Sequence, residues 1–166
     1  MIAALLRLEA QRQRRDNAGL TLIELIIVVF ILGVLAAIAY PAYASMTRRA
    51  NYAEAKQQMG SLGKELQLHY VEYSTYPPDV NANTKPAAIV NWPTKVPFNS
   101  MYDYDHWRIG DGQCYVQIGF WGESGQRAYP VHRLNSHPYG FEEFGDNLVL
   151  GVAVYPCQSA DAGPIR

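Results

Sequence analysis

The sequence predicts an α+β protein in which one long N-terminal α-helix packs on a small antiparallel β-sheet. Residues 20–40 form an almost uninterrupted apolar run, and an amphipathic stretch with apolar residues at three- and four-residue steps follows to about residue 73. The C-terminal third contains short segments of alternating apolar and polar residues between glycine-rich turns, which is typical of strands. With 166 residues, the chain is long enough for one globular domain beside an anchor.

The apolar run is long enough to cross a membrane and contains one carboxylate. At about 1.5 Å per residue, residues 20–40 form a helix of roughly 30 Å, the thickness of a bilayer core. Only Thr21 and Glu24 interrupt its apolar character. Burying a carboxylate in lipid costs a few kcal/mol, so Glu24 is a candidate functional residue. The alternative is a solvated side chain at the membrane interface.

A short arginine-bearing segment precedes the apolar run and ends in Ala18-Gly19. In a secretory signal, the small residues of the cleavage site follow the apolar region, whereas here Gly19 precedes it. A cut after Gly19 would leave the apolar segment on the mature chain. Leu20 would then carry a new amino group, and Glu24 would be the fifth residue.

This arrangement resembles the class III signal of type IV pilins and type II secretion pseudopilins, the prepilin-like proteins. The shared features are Gly19, a hydrophobic first residue, the sequence T-L-I-E, a long apolar helix, Gly33, and Pro41 in A-Y-P-A-Y. The resemblance covers about the first third of the chain. It departs from the family pattern at Leu20, where phenylalanine is usual, and in a leader that is long and contains Asp16.

The resemblance implies four segments along the chain. They are a leader peptide (1–19), a transmembrane and assembly half of the helix (20–41), an amphipathic half (42–76), and a head of loop and β-sheet (77–166). The arginines of the leader outnumber those after the span, Arg48 and Arg49. The positive-inside rule therefore places the N-terminus in the cytoplasm and the head across the membrane.

The resemblance also implies site residues, partners and a location. A prepilin peptidase would cleave between Gly19 and Leu20, Leu20 would be N-methylated, and Glu24, Gly33 and Pro41 would act in assembly. The implied partners are identical or related pilin subunits, the prepilin peptidase, an inner-membrane assembly platform and, before assembly, the lipid bilayer. The chain would cross the inner membrane once and then enter a pilus at the cell surface, with its head on the periplasmic or extracellular side.

The charge balance argues against a broad nucleic-acid surface. The formal net charge is −1, and residues 1–19 carry four arginines and two carboxylates, so their removal would leave −3. Nucleic-acid binding domains are usually strongly basic. A nucleic-acid partner would therefore require a local basic patch in an assembled fibre, and the charge does not support one.

The amphipathic half of the helix carries a stripe that should face the sheet. Its members are Tyr52, Ala55, Met59, Leu62, Leu66, Tyr70 and Tyr73. The helix should end before Tyr76-Pro77-Pro78, because proline disfavours helical backbone at the residue before it. Residues 77–100 contain five prolines and are predicted to form a loop with a short strand or helical turn.

The remaining segments are predicted to be β-rich. Segments 102–109 and 113–121 flank a Gly-Asp-Gly turn and should form a hairpin. Gly-Glu-Ser-Gly at 122–125 is the next turn, followed by a strand near 127–134 that Pro130 weakens. We expect a loop over 135–145, a central strand over 148–155 and a frayed tail over 158–166.

The only two cysteines, Cys114 and Cys157, fall in the exported part of the chain. A pair of cysteines on the oxidising side of a membrane favours a disulfide, and the resembled pilins commonly have one near the C-terminus. A bridge between these residues would close a loop of about 43 residues, worth about 4 kcal/mol in the chain-entropy model. Two buried free thiols are the alternative.

The sequence lacks a convincing catalytic or metal site. The histidines (His69, His106, His132 and His137) are scattered without metal-ligand spacing, and Ser124 in G-E-S-G does not match a nucleophile elbow. Asp103, Asp105 and Asp111 could bind calcium, but they lack an ordered ligand loop, so solvated carboxylates are the favoured interpretation. There is no phosphate-binding loop. We expect no enzymatic activity, no cofactor and no metal.

Three functions are compatible with these features. The first is a structural subunit, major or minor, of a type IV pilus that supports adhesion, motility or DNA uptake. The second is a pseudopilin of type II secretion with the same architecture. The third is a single-span anchored binding domain that never polymerises, which the combination of Gly19, Leu20 and Glu24 disfavours.

Overall fold

The computed structural model describes residues 20–87, 89–110, 112–129 and 139–158. They form one α-helix, one 3-10 turn and four strands: α1 (Leu22–Tyr73), the turn Pro97–Asn99, β1 (Tyr102–Gly110), β2 (Gln113–Phe120), β3 (Gly140–Phe144) and β4 (Asn147–Pro156). The predicted α+β class, one long N-terminal helix with a small antiparallel sheet, is confirmed. The leader at 1–19 and residues 159–166 of the predicted tail lie outside the described residues.

The chain divides into two units, Met1–Met46 and Thr47–Arg166. In the first unit, every described residue is exposed. Pro41 lies inside α1 without ending it. Since proline has no backbone N–H, it cannot supply the helical hydrogen bond to the carbonyl of Ala37.

In the second unit, α1 packs on the sheet through the predicted stripe. Its buried residues are Ala55, Met59, Leu62, Gly63 and Leu66, and Tyr52 and Tyr70 are partly buried beside them. The prediction was wrong for Tyr73. This residue is the last of α1, is 62% exposed, and packs edge-on against His69 of the helix itself.

The strands form one sheet in the order β1-β2-β4-β3, with every neighbouring pair antiparallel. The predicted hairpin of β1 and β2 is present, with Tyr102 opposite Phe120. The predicted central strand is also confirmed, because β4 lies between β2 and β3. The turn predicted at 122–125 is present, and the loop predicted at 77–100 contains the expected helical turn, Pro97–Asn99.

The prediction of a loop over 135–145 was wrong for residues 140–144, which form β3, and residues 135–138 lie outside the described residues. β3 pairs with β4 across a two-residue turn, with Phe144 opposite Asn147 and Gly145 at φ 65°. A positive φ suits such a hairpin turn. The described part of the strand predicted at 127–134 is not a strand, and residues 130–134 lie outside the described residues.

Both faces of β2 are buried. Val116, Ile118 and Phe120 join the core beneath α1. On the opposite face, Tyr129 lies against Gly119, where an added Cβ would overlap the Tyr129 hydroxyl. The segment after β2 therefore covers the outer face of the sheet.

Candidate assembly site

The N-terminus of α1 is closed by reciprocal hydrogen bonds between Thr21 and Glu24. The backbone N–H and the hydroxyl of Thr21 both donate to Glu24 Oε2, at 2.8 and 2.7 Å. The backbone N–H of Glu24 donates to Thr21 Oγ1 at 3.3 Å. This arrangement is a capping box, in which a threonine and a glutamate three residues later satisfy N–H groups that lack helical partners.

Glu24 retains unused bonding capacity in this arrangement. Both donors from Thr21 bind the same oxygen, and no described residue donates to Oε1. An ionised carboxylate accepts several hydrogen bonds and favours a positive partner. Leu20, the residue predicted to carry the new amino group, immediately precedes the capping box and is 79% exposed; Gly19 lies outside the described residues.

The apolar side chains that follow Glu24 have no cover within the described chain. All residues from 20 to 50 are exposed. By length and composition, α1 could cross a membrane. Gly33 has open space around it, since an added Cβ would meet nothing within 4 Å. Glycine at this position is therefore not required by packing within the chain itself.

The two cysteines are joined in a disulfide. Cys114, in β2, is fully buried, and Cys157 follows the end of β4; their Cα atoms are 5.7 Å apart. The Cys157 N–H also donates to the carbonyl of Gly112 at 3.0 Å. The bridge thus ties the chain after β4 to the start of β2.

Two of the three carboxylates considered for calcium bind an arginine. Arg127 Nη1 lies 2.8 Å from Asp103 Oδ2, and its Nη2 lies 3.0 Å from Asp105 Oδ2. Gln117 Nε2 donates to the same Asp105 oxygen at 2.9 Å, and the guanidinium stacks 4.3 Å from the centre of the Tyr129 ring. Asp111 lies outside the described residues. Among the residues described, no group of three or more potential ligands is placed to hold a metal.

In this cluster, the surroundings of Asp103 disfavour the ionised form of its carboxyl group. Burial raises its pKa to about 6, and the nearby Asp105 and Asp79 carboxylates act in the same direction, while Arg127 opposes the shift. One guanidinium shared between two carboxylates leaves the cluster with an excess of negative charge. The cluster therefore holds the segment after β2 against the sheet. The free energy spent on keeping Asp103 ionised there depends on pH.

The remaining candidates have structural roles in the described residues. His106 is fully buried; its Nδ1 donates to the Pro77 carbonyl at 2.8 Å, and its Nε2 lies 2.9 Å from the Tyr155 hydroxyl, from which it accepts when the ring is neutral. This pair links the start of the loop after α1 to the sheet. Ser124 donates its N–H to Asp146 at 2.7 Å within a turn. His132 and His137 lie outside the described residues.

The loop after α1 is held by Glu65, which the sequence analysis did not identify. Its carboxylate accepts from the Val90 N–H at 2.9 Å and from Asn91 Nδ2 at 2.7 Å. Burial favours a higher pKa, but the hydrogen bonds from Asn91 and Val90 outweigh it and hold the pKa of Glu65 below its ordinary value. Glu65 is therefore a charged anchor for residues 90 and 91.

Sequence reasoning also missed Thr21 and Arg127. The spacing in T-L-I-E is the capping-box signature, so Thr21 could have been identified from the sequence. Arg127 has no comparable signal, since its two partners lie 22 and 24 residues away. Only the pairing of β1 with β2, and the return of the chain over the sheet, bring these groups together.

The N-terminal part of the chain matches a known family model. Residues 14–40 match the prokaryotic N-terminal methylation motif. This match includes Gly19, Leu20, Glu24 and Gly33. The predicted resemblance to type IV pilins and pseudopilins is confirmed by this match and by the relatives that follow.

Three curated relatives illustrate the similarity. Fimbrial protein EcpC of Eikenella corrodens is 42% identical over 78 residues, which cover 47% of this chain and 50% of that protein. The type II secretion system core protein G of Pseudomonas aeruginosa is 37% identical over 65 residues, covering 39% and 46%. The type IV major pilin protein PilE of Neisseria gonorrhoeae is 41% identical over 61 residues, covering 37% and 36%. The chain thus spans about half or less of the length of these relatives, and no solved structure matches it significantly.

Proposed function

We propose that this chain, which carries the N-terminal motif of type IV pilins and pseudopilins, is a structural subunit of a type IV pilus fibre. The observation that carries the proposal is the surface of α1 from Leu22 to Tyr43, which is apolar except for Glu24 and in which every residue is exposed. In the membrane, lipid covers this surface. In a fibre, the same surface on neighbouring subunits would cover it.

The proposed mechanism of assembly begins with cleavage after Gly19. The amino group of Leu20 then lies at nearly the same membrane depth as Glu24, whose Oε1 has no partner among the described residues. Pairing of that carboxylate with the amine of a neighbouring subunit offsets the cost of burying both charges in a low dielectric. The pair sets the axial register of the incoming subunit, and the apolar helices supply the bulk of the contact.

Gly33 and Pro41 contribute to the same packing in this proposal. Small residues let helices approach closely in an apolar environment, and the open space around Gly33 is available to a neighbouring helix. The helical hydrogen bond missing at Pro41 would allow α1 to bend there when subunits pack. The partners are therefore identical or related subunits, with a prepilin peptidase and an inner-membrane assembly platform acting before assembly.

The proposed location follows from the orientation of the span. The chain crosses the inner membrane once, and its head lies on the periplasmic side until the subunit enters a pilus at the cell surface. The disulfide suits a head that is exported to an oxidising compartment. We propose a structural role without catalysis for the whole chain.

A pseudopilin of type II secretion is the second candidate. It is favoured by the similarity to core protein G of Pseudomonas aeruginosa, at 37% identity. Immunogold labelling of cells that express this chain at its natural level, with and without shearing, separates the two. Label along surface fibres supports the pilus subunit, and label confined to the periplasm together with failed protein export on deletion supports the pseudopilin. Label in the membrane alone, with neither effect, would support a non-polymerising anchored domain.

A further inference from the structure

Two clefts of opposite charge lie beside α1 in the head. The basic cleft is lined by Arg48, Arg49, Tyr52 and Lys56 of the helix, together with Glu143 and Leu148. The acidic cleft is lined by Glu65, Leu68, Glu72 and Tyr73 of the helix, together with Val90 and Asn91. Resting on the proposed fibre function, we propose that the acidic cleft of one copy binds the basic cleft of a second copy, with Glu72 facing Arg49.

The charges in the basic cleft are available to a partner. Arg48 and Lys56 form exposed ion pairs with Glu123 and Glu143, both at 2.9 Å, whereas Arg49 is exposed and has no partner among the described residues. Exposed ion pairs contribute little stability and exchange partners readily. A carboxylate arriving at this cleft therefore meets one unpaired guanidinium and two cations that are only weakly held.

The acidic cleft offers a carboxylate beside uncovered apolar side chains. Leu68, Tyr73 and Val90 are 68%, 62% and 78% exposed. Glu72 is exposed at the same end of α1, while Glu65 is already bonded to the loop. Protein–protein contacts usually have an apolar centre with polar and charged groups at the rim, so that apolar burial supplies the affinity and the charges fix the register.

The placement of the two clefts on α1 specifies how the copies meet. At about 100° per residue, the cations at 48, 49 and 56 lie about 170° around the helix from the carboxylates at 65 and 72. The two sets flank the buried stripe, one on each side. A second copy with a parallel helix can therefore bring its basic cleft against the acidic cleft of the first without disturbing either core.

The same geometry gives the offset between the copies. Arg49 and Glu72 are 23 residues apart on α1, which corresponds to about 35 Å along the helix. Parallel copies displaced by that distance bring Glu72 of one copy to the height of Arg49 of the other. These are different neighbours from those joined by the Leu20 amine and Glu24, because that pair requires an offset of only about 6 Å. Because the first copy then keeps a free basic cleft and the second a free acidic cleft, the contact is head-to-tail and continues as an open filament. A symmetric dimer would instead place like charges together.

A charge-exchange experiment in the full chain tests this pairing. The variants Arg49→Glu, Glu72→Lys and the double variant are each expressed as the only copy, and processed protein is measured in the membrane and in the sheared fibre fraction. Each single variant should reduce fibre yield about tenfold, because like charges meet at the contact. The double variant should recover at least half of the wild-type yield, because the pair is restored with its signs exchanged.

Lys64→Glu is the matched control, since it makes the same charge change on an exposed residue of α1 that lines neither cleft. It should assemble normally. Normal fibre yield from both single variants, or no recovery in the double variant, would overturn the pairing while leaving the fibre function intact. Loss of Arg49→Glu from the membrane fraction would show that Arg49 binds lipid headgroups and would also overturn it. Absence of fibres from the wild-type chain would contradict the fibre function itself, and the pairing with it.

Discussion

Thr21 and Glu24 hydrogen-bond each other at the start of α1, with both Thr21 donors on one oxygen of the Glu24 carboxylate. The glutamate therefore has two separable properties. As a hydrogen-bond acceptor it caps the helix within its own chain. As a negative charge it can pair with the amino group of a neighbour through Oε1. Substitutions that remove one property and keep the other distinguish capping from assembly.

Glu24→Gln and Glu24→Ala should both be inserted, processed and folded but assemble poorly. Glutamine keeps the oxygen that Thr21 needs and loses the charge; alanine loses both. Because loss of a helix cap costs only about 1 kcal/mol, the fold should survive in each case. We expect fibre yields at least about tenfold below wild type, since the subunit loses a charge pair in a low dielectric. The yield is measured by immunoblotting sheared fractions of cells with the variant as sole pilin.

Three controls accompany this pair. Glu24→Asp should be partly tolerated, because the charge remains on a shorter side chain. Val28→Ala should be nearly neutral, and Thr21→Val, which removes the cap hydroxyl but not the charge, should assemble far better than Glu24→Gln. Normal yield from Glu24→Gln would assign the residue to capping alone. The variant must be the only subunit present, because wild-type subunits in a mixed fibre can compensate for the missing charge pair.

The disulfide should form only after export. Protein taken from the envelope or fibre should contain Cys114 bonded to Cys157, and the same chain produced in a reducing cytoplasm should have two free thiols. Replacing both cysteines by alanine should lower the free energy of unfolding by about 4 kcal/mol in the chain-entropy model. Non-reducing peptide mapping and denaturant titration provide the measurements. Two alkylatable thiols in exported protein would contradict the assignment.

The raised pKa of Asp103 predicts how stability depends on pH. Its folded value of about 6 lies above the ordinary 3.8, so between these values the folded state binds more protons than the unfolded state. The stability contributed by this group should therefore rise as pH falls from 7 to 4. Asp103→Asn removes this contribution, so the free energy of unfolding of the variant, relative to that of the wild type, should be greater at pH 7.5 than at pH 4.5 by roughly 2 kcal/mol.

Denaturant titration of the detergent-solubilised chain at both pH values measures this difference. Subtracting the free energy of unfolding of the wild type from that of the variant at each pH removes the contribution of the other carboxylates. A difference that does not change with pH would show that Arg127 keeps Asp103 ionised throughout the range.

Two glycines should respond to alanine in opposite directions. At Gly119, an added methyl group would overlap the Tyr129 hydroxyl on the outer face of the sheet. Gly119→Ala should therefore destabilise the head by about 1–3 kcal/mol. Gly60 lies in α1 with nothing within 4 Å of an added Cβ, so Gly60→Ala should stabilise it by up to about 1 kcal/mol. Equal thermal midpoints for the two variants would contradict this description of the outer face.

The sequence predicted the parts of the fold that depend on local pattern. The apolar run, the helical stripe ending near Pro77 and the Gly-Asp-Gly hairpin each reflect a periodicity or a turn residue within a short window. β3 was missed because Glu142 and Glu143 are unfavourable strand residues, and only pairing with β4 makes them a strand. The Gly145-Asp146 turn was the available signal.

Likewise, the residues of the candidate site could be predicted only where the sequence immediately around them identifies them. Glu24 stands out as a carboxylate in an apolar run, and Thr21 is three residues away. The cluster of Asp103, Asp105 and Arg127 depends on a return of the chain over the sheet, which no local pattern encodes. The two clefts depend on the rotation between residues 49 and 72 around one helix, and on a loop held by Glu65.

The mass of this chain in fibres sheared from cells tests the central claim most directly. Intact-mass and N-terminal peptide spectra should show a chain that begins at N-methylated Leu20, lacks Met1–Gly19 and retains the disulfide. Cells without the prepilin peptidase should yield only the unprocessed chain in the membrane and none in the sheared fraction. A chain that still begins at Met1, a cut beyond Tyr40, or absence of the processed chain from the sheared fraction would contradict the account.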